Sequence, residues 1–192
     1  KEYDLADGIV VLSSFARQSF IDRGISAQKL YPLPLGAELK RFVPERQIIE
    51  KRCSRILSGK FLRVLMTGTF SYQKGALDLL KIASLCKACC EFRFVGDIDE
   101  ETKDLLKNYN HSLEFIPRQP EFRLPDFYAW ADIFIFTTLE DDYSVVLAQA
   151  QASGLPILAT ESSSAPDLIR NNNVGWVFPI QNPEAFVDQL RW

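Results

Sequence analysis

Short apolar runs alternate with amphipathic segments over most of the chain, and the two patterns predict different elements. Apolar runs bounded by turn residues are typical of buried strands, whereas an apolar period near 3.6 is typical of helices. The runs predict strands at Leu62–Met66, Phe92–Val95, Leu113–Ile116, Asp132–Thr137, Ile157–Thr160 and Trp176–Phe178. The amphipathic segments predict helices at Lys74–Lys87, Glu100–Asn108, Leu124–Trp130 and Pro183–Trp192, with a short helix near Pro166–Arg170.

Strands separated by single helices imply right-handed crossovers and a parallel sheet. The pattern therefore predicts an α/β fold of Rossmann-like type, a parallel sheet with helices on both faces. In such sheets ligands bind at the carboxyl edge of the strands. The loops to inspect are 67–75, 96–99, 117–123, 138–144 and 160–166.

The first part of the chain has a different pattern. Gly8–Leu12 predicts a buried strand, and Ser13 and Ser14 are typical caps for a helix that ends near Arg23. After the proline-punctuated stretch Leu30–Leu35, a polar helical segment runs to Lys60. We expect residues 1–45 to be the tail of a preceding domain with its linker, and residues 46–192 to form the sheet domain.

The composition, 47% hydrophobic and 24% charged with a net charge of -3, is that of a soluble globular domain. The negative charge argues against a nucleic-acid partner. The apolar runs are too short to span a bilayer and no signal peptide is evident, so we expect a cytoplasmic protein. Cys86-x-x-Cys89 is a weak zinc or redox signal, because a structural zinc site needs a second ligand pair and His111 is the only histidine. We expect reduced, inert thiols, and an exposed His111 without a catalytic role.

The segment after the fourth strand of the regular series carries the strongest functional signal. The acidic turn Glu140–Ser144 opens an alanine-rich helix that ends at Gly154. Free backbone N–H groups and the helix dipole at such a turn attract a diphosphate. N-capping of the helix by Asp142 or Ser144 is an equal alternative, and the two roles are compatible.

Other loops offer weaker candidates. Gly68 and Gly75 flank a loop in which the ammonium group of Lys74 can lie over a phosphate. Asp97 and Asp99 resemble a pair of acids that holds a divalent ion, although capping of the helix after them is the favoured interpretation.

Together these segments resemble the retaining glycosyltransferases of GT-B fold, the large family that includes sucrose synthase and many bacterial mannosyl- and glucosyltransferases. Ala6–Ser13 resembles the last strand of the N-terminal domain of that fold, and 33–44 resembles the linker. Thr67–Phe70 with Lys74 and Gly75 resembles the donor phosphate loop. Residues 124–137 and 150–157 are the most specific matches. The chain would then be the C-terminal, donor-binding half of a GT-B enzyme.

The resemblance implies roles for individual residues. Asp141 would contact the transferred sugar and Lys74 would neutralise the departing diphosphate, so these two are the catalytic candidates. Gln149 would hold the ribose hydroxyls. The donor, a UDP- or GDP-linked sugar, would bind without metal or other cofactor, and the acceptor would be a glycan or lipid, with peripheral membrane association through the N-terminal domain. The full set of expected donor-binding residues is Gly68, Thr69, Lys74, Asp142, Tyr143, Ser144, Val145 and Gln149.

Several residues depart from the family pattern. Thr69 replaces an arginine, Gln149 a glutamate, Asp142 and Ser144 two glycines, and Ser163–Ser164 a glycine pair. A neutral hydrogen bond at position 149 is worth about 1 kcal/mol where a charge-assisted one is worth about 1.5–3. We therefore expect slower transfer, a different donor, or no transfer, and we expect this chain alone to bind donor without turnover.

Three alternatives stay open on the sequence alone. A degenerate GT-B domain that acts as a binding or scaffolding partner is favoured by Thr69 and Gln149. An isomerase of the UDP-sugar 2-epimerase type shares the fold, but no matching His- and Glu-rich site is evident. A receiver-like domain with Asp97 as phosphoacceptor is disfavoured, because too many elements precede and follow it.

Overall fold

A computed structural model describes residues 2–35, 38–107, 112–169 and 173–191 of the chain. Within these ranges the strands are β1 Ile9–Val11, β2 Leu30–Pro32, β3 Leu62–Phe70, β4 Cys90–Ile98, β5 Leu113–Ile116, β6 Ile133–Phe136, β7 Ile157–Thr160 and β8 Gly175–Phe178. The α-helices are α1 Glu2–Leu5, α2 Ser14–Asp22, α3 Arg46–Leu57, α4 Ala76–Cys86, α5 Lys103–Lys107, α6 Leu124–Trp130, α7 Val145–Ala152, α8 Ala165–Leu168 and α9 Pro183–Arg191.

The main sheet has six parallel strands in the order β5-β4-β3-β6-β7-β8. The predicted α/β fold with a Rossmann-like parallel sheet is confirmed. The chain builds outward from β3 through β4 to β5, and then crosses back to β6 and builds outward on the other side. Loops after β3 and β6 therefore diverge from each other, and this divergence opens a crevice at the carboxyl edge of the sheet.

The first two strands form a separate parallel pair with a small core of their own, made of Val11, Ala16 and Leu30. The strand predicted at Gly8–Leu12 was expected to be buried. In β1 only Val11 is buried, whereas Val10 is 57% exposed. Phe42 lies on the amino side of the predicted boundary at residue 45 but packs edge-to-face on Tyr128 in the larger core. The boundary itself stays a prediction.

The ends of several elements differ from the predicted ones for identifiable reasons. Strand β3 continues beyond the predicted end at Met66 through Thr67–Phe70, because each of these residues pairs with a residue of β4. Helix α4 begins at Ala76 rather than Lys74, because Gly75 has a left-handed backbone (φ 73°) that ends the preceding turn. The predicted helix at 100–108 is a 3₁₀ turn followed by the short α5.

Arg52 anchors α3 to the main sheet domain although its side chain is charged. It is only 7% exposed and donates hydrogen bonds to the carbonyl oxygens of Ser153 and Gly154 (3.1 and 3.0 Å) and of Tyr128 (3.2 Å). A guanidinium can be buried in this way because its fork of N–H donors satisfies several carbonyls at once. Arg52 therefore links the end of α6 to the end of α7 through these carbonyl groups.

Candidate functional site

Two neighbouring cavities, of about 370 and 270 Å³, occupy the crevice at the carboxyl edge of the sheet. They share the walls formed by the end of β3 and the start of α7, and we refer to them together as the cleft. The residues common to both cavities are Thr67, Gly68, Thr69, Val145 and Val146. A cleft of this size at the switch point of a parallel sheet is the expected place for a small-molecule ligand.

Backbone forms one wall of the cleft where β3 and β4 run side by side. Gly68 pairs with Gly96, and both have positive φ (140° and 154°). A Cβ atom at position 96 would lie 1.7 Å from the carbonyl oxygen of Gly68. The close approach of the two strands therefore requires glycine at Gly96, and it leaves main-chain groups facing the cleft.

The opposite wall carries an ion pair between the two catalytic candidates. Lys74 Nζ lies 3.0 Å from Asp141 Oδ2, and both side chains are about three-quarters buried. The same carboxylate oxygen accepts a hydrogen bond from Ser144 Oγ at 2.7 Å. Lys74 and Asp141, which are 67 positions apart in sequence, are thus brought together beside Gly68 and Thr69.

The residues that replace family glycines make hydrogen bonds around this pair. Ser144 N–H donates to Ser164 Oγ at 3.1 Å, while the Ser144 hydroxyl holds Asp141. Asp142 Oδ1 accepts from Ser13 Oγ at 3.2 Å, so its side chain is directed to the start of α2 and lines neither cavity. The hydrogen bonds of Ser144 and Asp142 show that these departures are mutually supported in the fold.

The predicted N-cap of α7 at Ser144 is confirmed in position, but no side-chain hydrogen bond caps the helix. Ser144 occupies the N-cap position, but its hydroxyl is used by Asp141 and makes no cap hydrogen bond. Within the described ranges, no acceptor receives a hydrogen bond from the N–H groups of Val145 or Val146, both of which line the cleft. Two free amides at the positive end of a helix dipole form a suitable anion site.

Gln149 lies one turn further along α7 and also lines the larger cavity. Its Oε1 accepts a hydrogen bond from Tyr128 Oη at 3.1 Å, and Tyr128 Oη lies 2.9 Å from Thr67 Oγ1. Tyr128 is fully buried, and burial raises the pKa of its phenol well above the usual value of 10.0. A protonated Tyr128 therefore holds the oxygen of the amide and leaves the NH₂ group of Gln149 for a ligand.

Arg118 and Tyr128 are site residues that sequence reasoning missed. Arg118 lines the larger cavity, and its guanidinium pairs with Asp97 at 3.3 Å. It supplies a cation near Thr69, where the family pattern has an arginine. Its position in the loop after β5 was the available signal, since that loop belongs to the predicted rim. Asp99 occupies the predicted N-cap position before Glu100 but makes no side-chain cap, and Asp97 pairs with Arg118 instead.

The remaining expected donor-binding residues fall in the smaller cavity. Tyr143 and Ser144 line it together with Lys74 and Asp141. His111, predicted to be exposed and without a catalytic role, lies outside the described residues. Among the helices that the structure describes, none combines the length and apolar content needed to cross a bilayer.

The fold is a Rossmann-like domain with a cleft at its topological switch point. Residues 62–192 match the family of group 1 glycosyl transferases, and the chain belongs to this family.

Two curated relatives illustrate the activities named within this family. The chain is 23% identical over 191 residues to the amylovoran biosynthesis glycosyltransferase AmsK of Erwinia amylovora, covering 92% of this chain and 45% of the relative. It is 25% identical over 178 residues to a GDP-mannose-dependent alpha-mannosyltransferase of Mycobacterium tuberculosis, with the same coverage of 92% and 45%. The chain thus spans about half the length of the curated relatives it matches.

Solved structures give the same fold. HepE of Anabaena, crystallised with UDP-glucose, superposes with a TM-score of 0.79 at 17% identity, over 97% of this chain and 53% of that protein. Sucrose-phosphate synthase of Thermosynechococcus elongatus superposes with a TM-score of 0.78 at 21% identity, over 97% and 48% of the two chains. These neighbours have GT-B structures, so the sheet domain is of GT-B Rossmann-like type.

Proposed function

We propose that this chain is the donor-binding part of a retaining glycosyltransferase, which transfers a hexosyl group from a nucleotide-diphospho-sugar to a hydroxyl of a glycan or lipid. The observation that carries the proposal is the convergence of Lys74, Asp141 and the free amides of Val145 and Val146 around one cleft. The UDP-glucose complex of HepE and the name of the mannosyltransferase relative support a UDP- or GDP-linked donor.

In the proposed reaction the bond between the sugar and the diphosphate breaks and the nucleoside diphosphate leaves. The acceptor hydroxyl attacks from the face that the diphosphate leaves, and its proton passes to a phosphate oxygen of the donor. The helix dipole of α7 and the ammonium group of Lys74 stabilise the charge that develops on the leaving group. Lys74 has three N–H donors, so it can contact a phosphate while Asp141 holds it in place.

The proposal assigns the positive charge of the site to the protein rather than to a metal ion or other cofactor. Arg118 contributes a second cation at the other end of the cleft. The proposal also includes a cytoplasmic location, and peripheral contact with a membrane through an acceptor-binding domain, where the acceptor is a lipid.

The test is calorimetric titration of the chain with UDP, GDP and ADP, with and without magnesium. We expect metal-independent binding to one nucleotide, weakened roughly 10- to 100-fold in Lys74→Ala, because a charge-assisted hydrogen bond is lost. Lys81→Ala is the matched control, since Lys81 also pairs with a carboxylate, that of Glu184, but far from the cleft.

Equal effects of the two lysine substitutions would contradict the proposal, as would the absence of nucleotide binding by the folded chain. Thermal unfolding of each variant checks that the fold is retained.

A further inference from the structure

Three of the four cysteines meet at the edge of the sheet opposite the cleft. Cys86 ends α4, Cys89 lies in the following turn, and Cys90 begins β4. Their sulfur atoms all lie within 4.8 Å of one another, and the sulfurs of Cys89 and Cys90 are 3.8 Å apart. Cys53, the fourth cysteine, is exposed on α3 and belongs to no such cluster in the described parts of the chain.

The cluster is sheltered from solvent. Cys86 is fully buried, Cys90 is 4% exposed and Cys89 is partly exposed, which leaves one side open to solvent. Sequence reasoning predicted inert thiols here, because the Cys86-x-x-Cys89 pair had no further ligands in view. Folding brings in a third sulfur from Cys90.

A positive charge lies beside the cluster. Arg191 of α9 donates a hydrogen bond to the carbonyl oxygen of Leu85 at 2.8 Å. The thiolate is the form of cysteine that binds metal, and a neighbouring positive charge stabilises it.

We propose that Cys86, Cys89 and Cys90 form a binding site for a soft monovalent cation, Cu(I), held by three thiolates. Soft thiolate ligands select Cu(I) among the available ions, whereas structural zinc sites almost always have four ligands. The described cluster has three sulfurs and neither imidazole nor carboxylate. Arg191 offsets part of the negative charge of the loaded site.

The geometry is close to what such a site needs. With metal–sulfur bonds of about 2.3 Å, three ligands in a plane lie about 4 Å apart, so the cluster has to contract by less than about 1 Å. Each thiol that becomes a ligand releases its proton to the solvent, and no electron is transferred. Cys90 begins the strand that reaches the cleft at Gly96, about 20 Å away, so the site is separate from the cleft.

The test is anaerobic titration of the reduced chain with Cu(I) in competition with bicinchoninate, a chromophoric Cu(I) chelator. We expect one Cu(I) per chain to be withheld from the chelator. Cys89→Ser, at the partly exposed position, weakens binding by more than roughly tenfold, since even loss of an outer-shell partner commonly costs about that much. Cys53→Ser is the matched control and leaves binding unchanged.

Cys86→Ala, checked for folding by circular dichroism, is expected to behave like Cys89→Ser. The proposal is overturned if Cys53→Ser loses copper binding, or if wild type and Cys89→Ser withhold copper from the chelator equally. Tighter retention of Zn(II) than of Cu(I), measured with a zinc indicator dye, overturns the assignment to a monovalent ion.

Discussion

At the scale of single residues, a hydrogen bond determines which end of the neutral Gln149 amide is available to a ligand. Tyr128 holds the amide oxygen, and Thr67 in turn contacts the phenol. The NH₂ group is left to donate to a ligand, whereas a glutamate would accept. Ribose hydroxyls can act as either donor or acceptor, so Gln149 remains compatible with the proposed ribose contact.

Tyr128→Phe tests this arrangement. The ring stacks on Phe134 (5.6 Å between centroids) and packs on Phe42, so phenylalanine preserves the packing. We expect the variant to bind the preferred nucleoside diphosphate roughly 3- to 10-fold more weakly, because one hydrogen bond that orients Gln149, worth about 1 kcal/mol, is lost. Calorimetric titration measures the change.

The same titration with the 2′,3′-dideoxy nucleotide separates orientation from general damage. Wild type and Tyr128→Phe are expected to bind the dideoxy nucleotide equally, since it has no ribose hydroxyls for Gln149 to contact. Tyr31→Phe, at an exposed position on β2, serves as the control. Equal weakening of both nucleotides by Tyr128→Phe would rule out a role through the ribose.

Tyr128 also makes stability depend on pH in the alkaline range. Burial raises the pKa of the phenol above its unfolded value of 10.0, so the folded state keeps a proton that the unfolded state loses. The stabilisation is complete below that value and is lost as the pH rises above it. From about pH 8 to about pH 11, the wild type should lose roughly 1.4 kcal/mol of unfolding free energy relative to Tyr128→Phe.

Urea unfolding of both proteins across this range measures the difference. A constant gap between the two free energies of unfolding would show that the phenol ionises as freely in the folded chain as in the unfolded one.

At the scale of elements, the pairing of β3 with β4 sets the shape of the cleft wall. Gly96→Ala places a methyl group against the Gly68 carbonyl, and the strands have to separate. We expect a loss of about 3 kcal/mol or more in unfolding free energy, from overpacking and left-handed strain together. Nucleotide binding should fall with it, because the wall of the cleft moves.

Gly59→Ala is the matched control, since Gly59 also has positive φ (71°) but has no atom within 4 Å of the added methyl. Its cost should be that of backbone strain alone, about 1–2 kcal/mol. Urea unfolding compares the two variants. A Gly96→Ala cost no larger than that of Gly59→Ala would mean that the strands can separate freely.

The spacing of apolar residues predicted nearly every element of the main sheet, because each strand and helix buries a face whose pattern is visible in the sequence. The ends were less predictable. Thr67–Phe70 belongs to β3 through backbone pairing with β4, and the polar residues and glycine that precede Phe70 interrupt the apolar run. Ser144 occupies the N-cap position of α7, but its hydroxyl donates to Asp141 instead of capping the helix, and Asp141 is in contact with Lys74.

At the scale of the whole molecule, the rim loops followed from the order of strands and helices. Asp141 and Gln149 were assigned through the resemblance to the glycosyltransferase family, and Lys74 through its glycine-flanked loop together with that resemblance. Their roles stay predictions. The pairing of Arg118 with Asp97, and of Tyr128 with Thr67 and Gln149, depends on which strands become neighbours. Strand order is fixed by packing of the complete sheet, which is why one sequence read locally does not reveal these contacts.

Hydrogen bonds from Ser13 and Ser14 link the small β1–β2 unit to the main sheet domain. Ser13 Oγ donates to Asp142 in the acidic turn, and Ser14 N–H donates to Asp167 of α8 at 2.7 Å. Ser13 also caps α2, since its side chain accepts from Ala16 N–H. The turn that precedes α7 is therefore braced from outside the main sheet.

The close approach of Gly68 and Gly96 divides the positions of the cleft into those that can vary and those that cannot. Gly96 has no room for a side chain, so a substitution there destabilises the fold and does not lead to a new specificity. Thr69, Arg118 and Gln119 face the same space through side chains. If the cleft is the proposed donor site, divergence in donor choice is expected at such side-chain positions and not at Gly96.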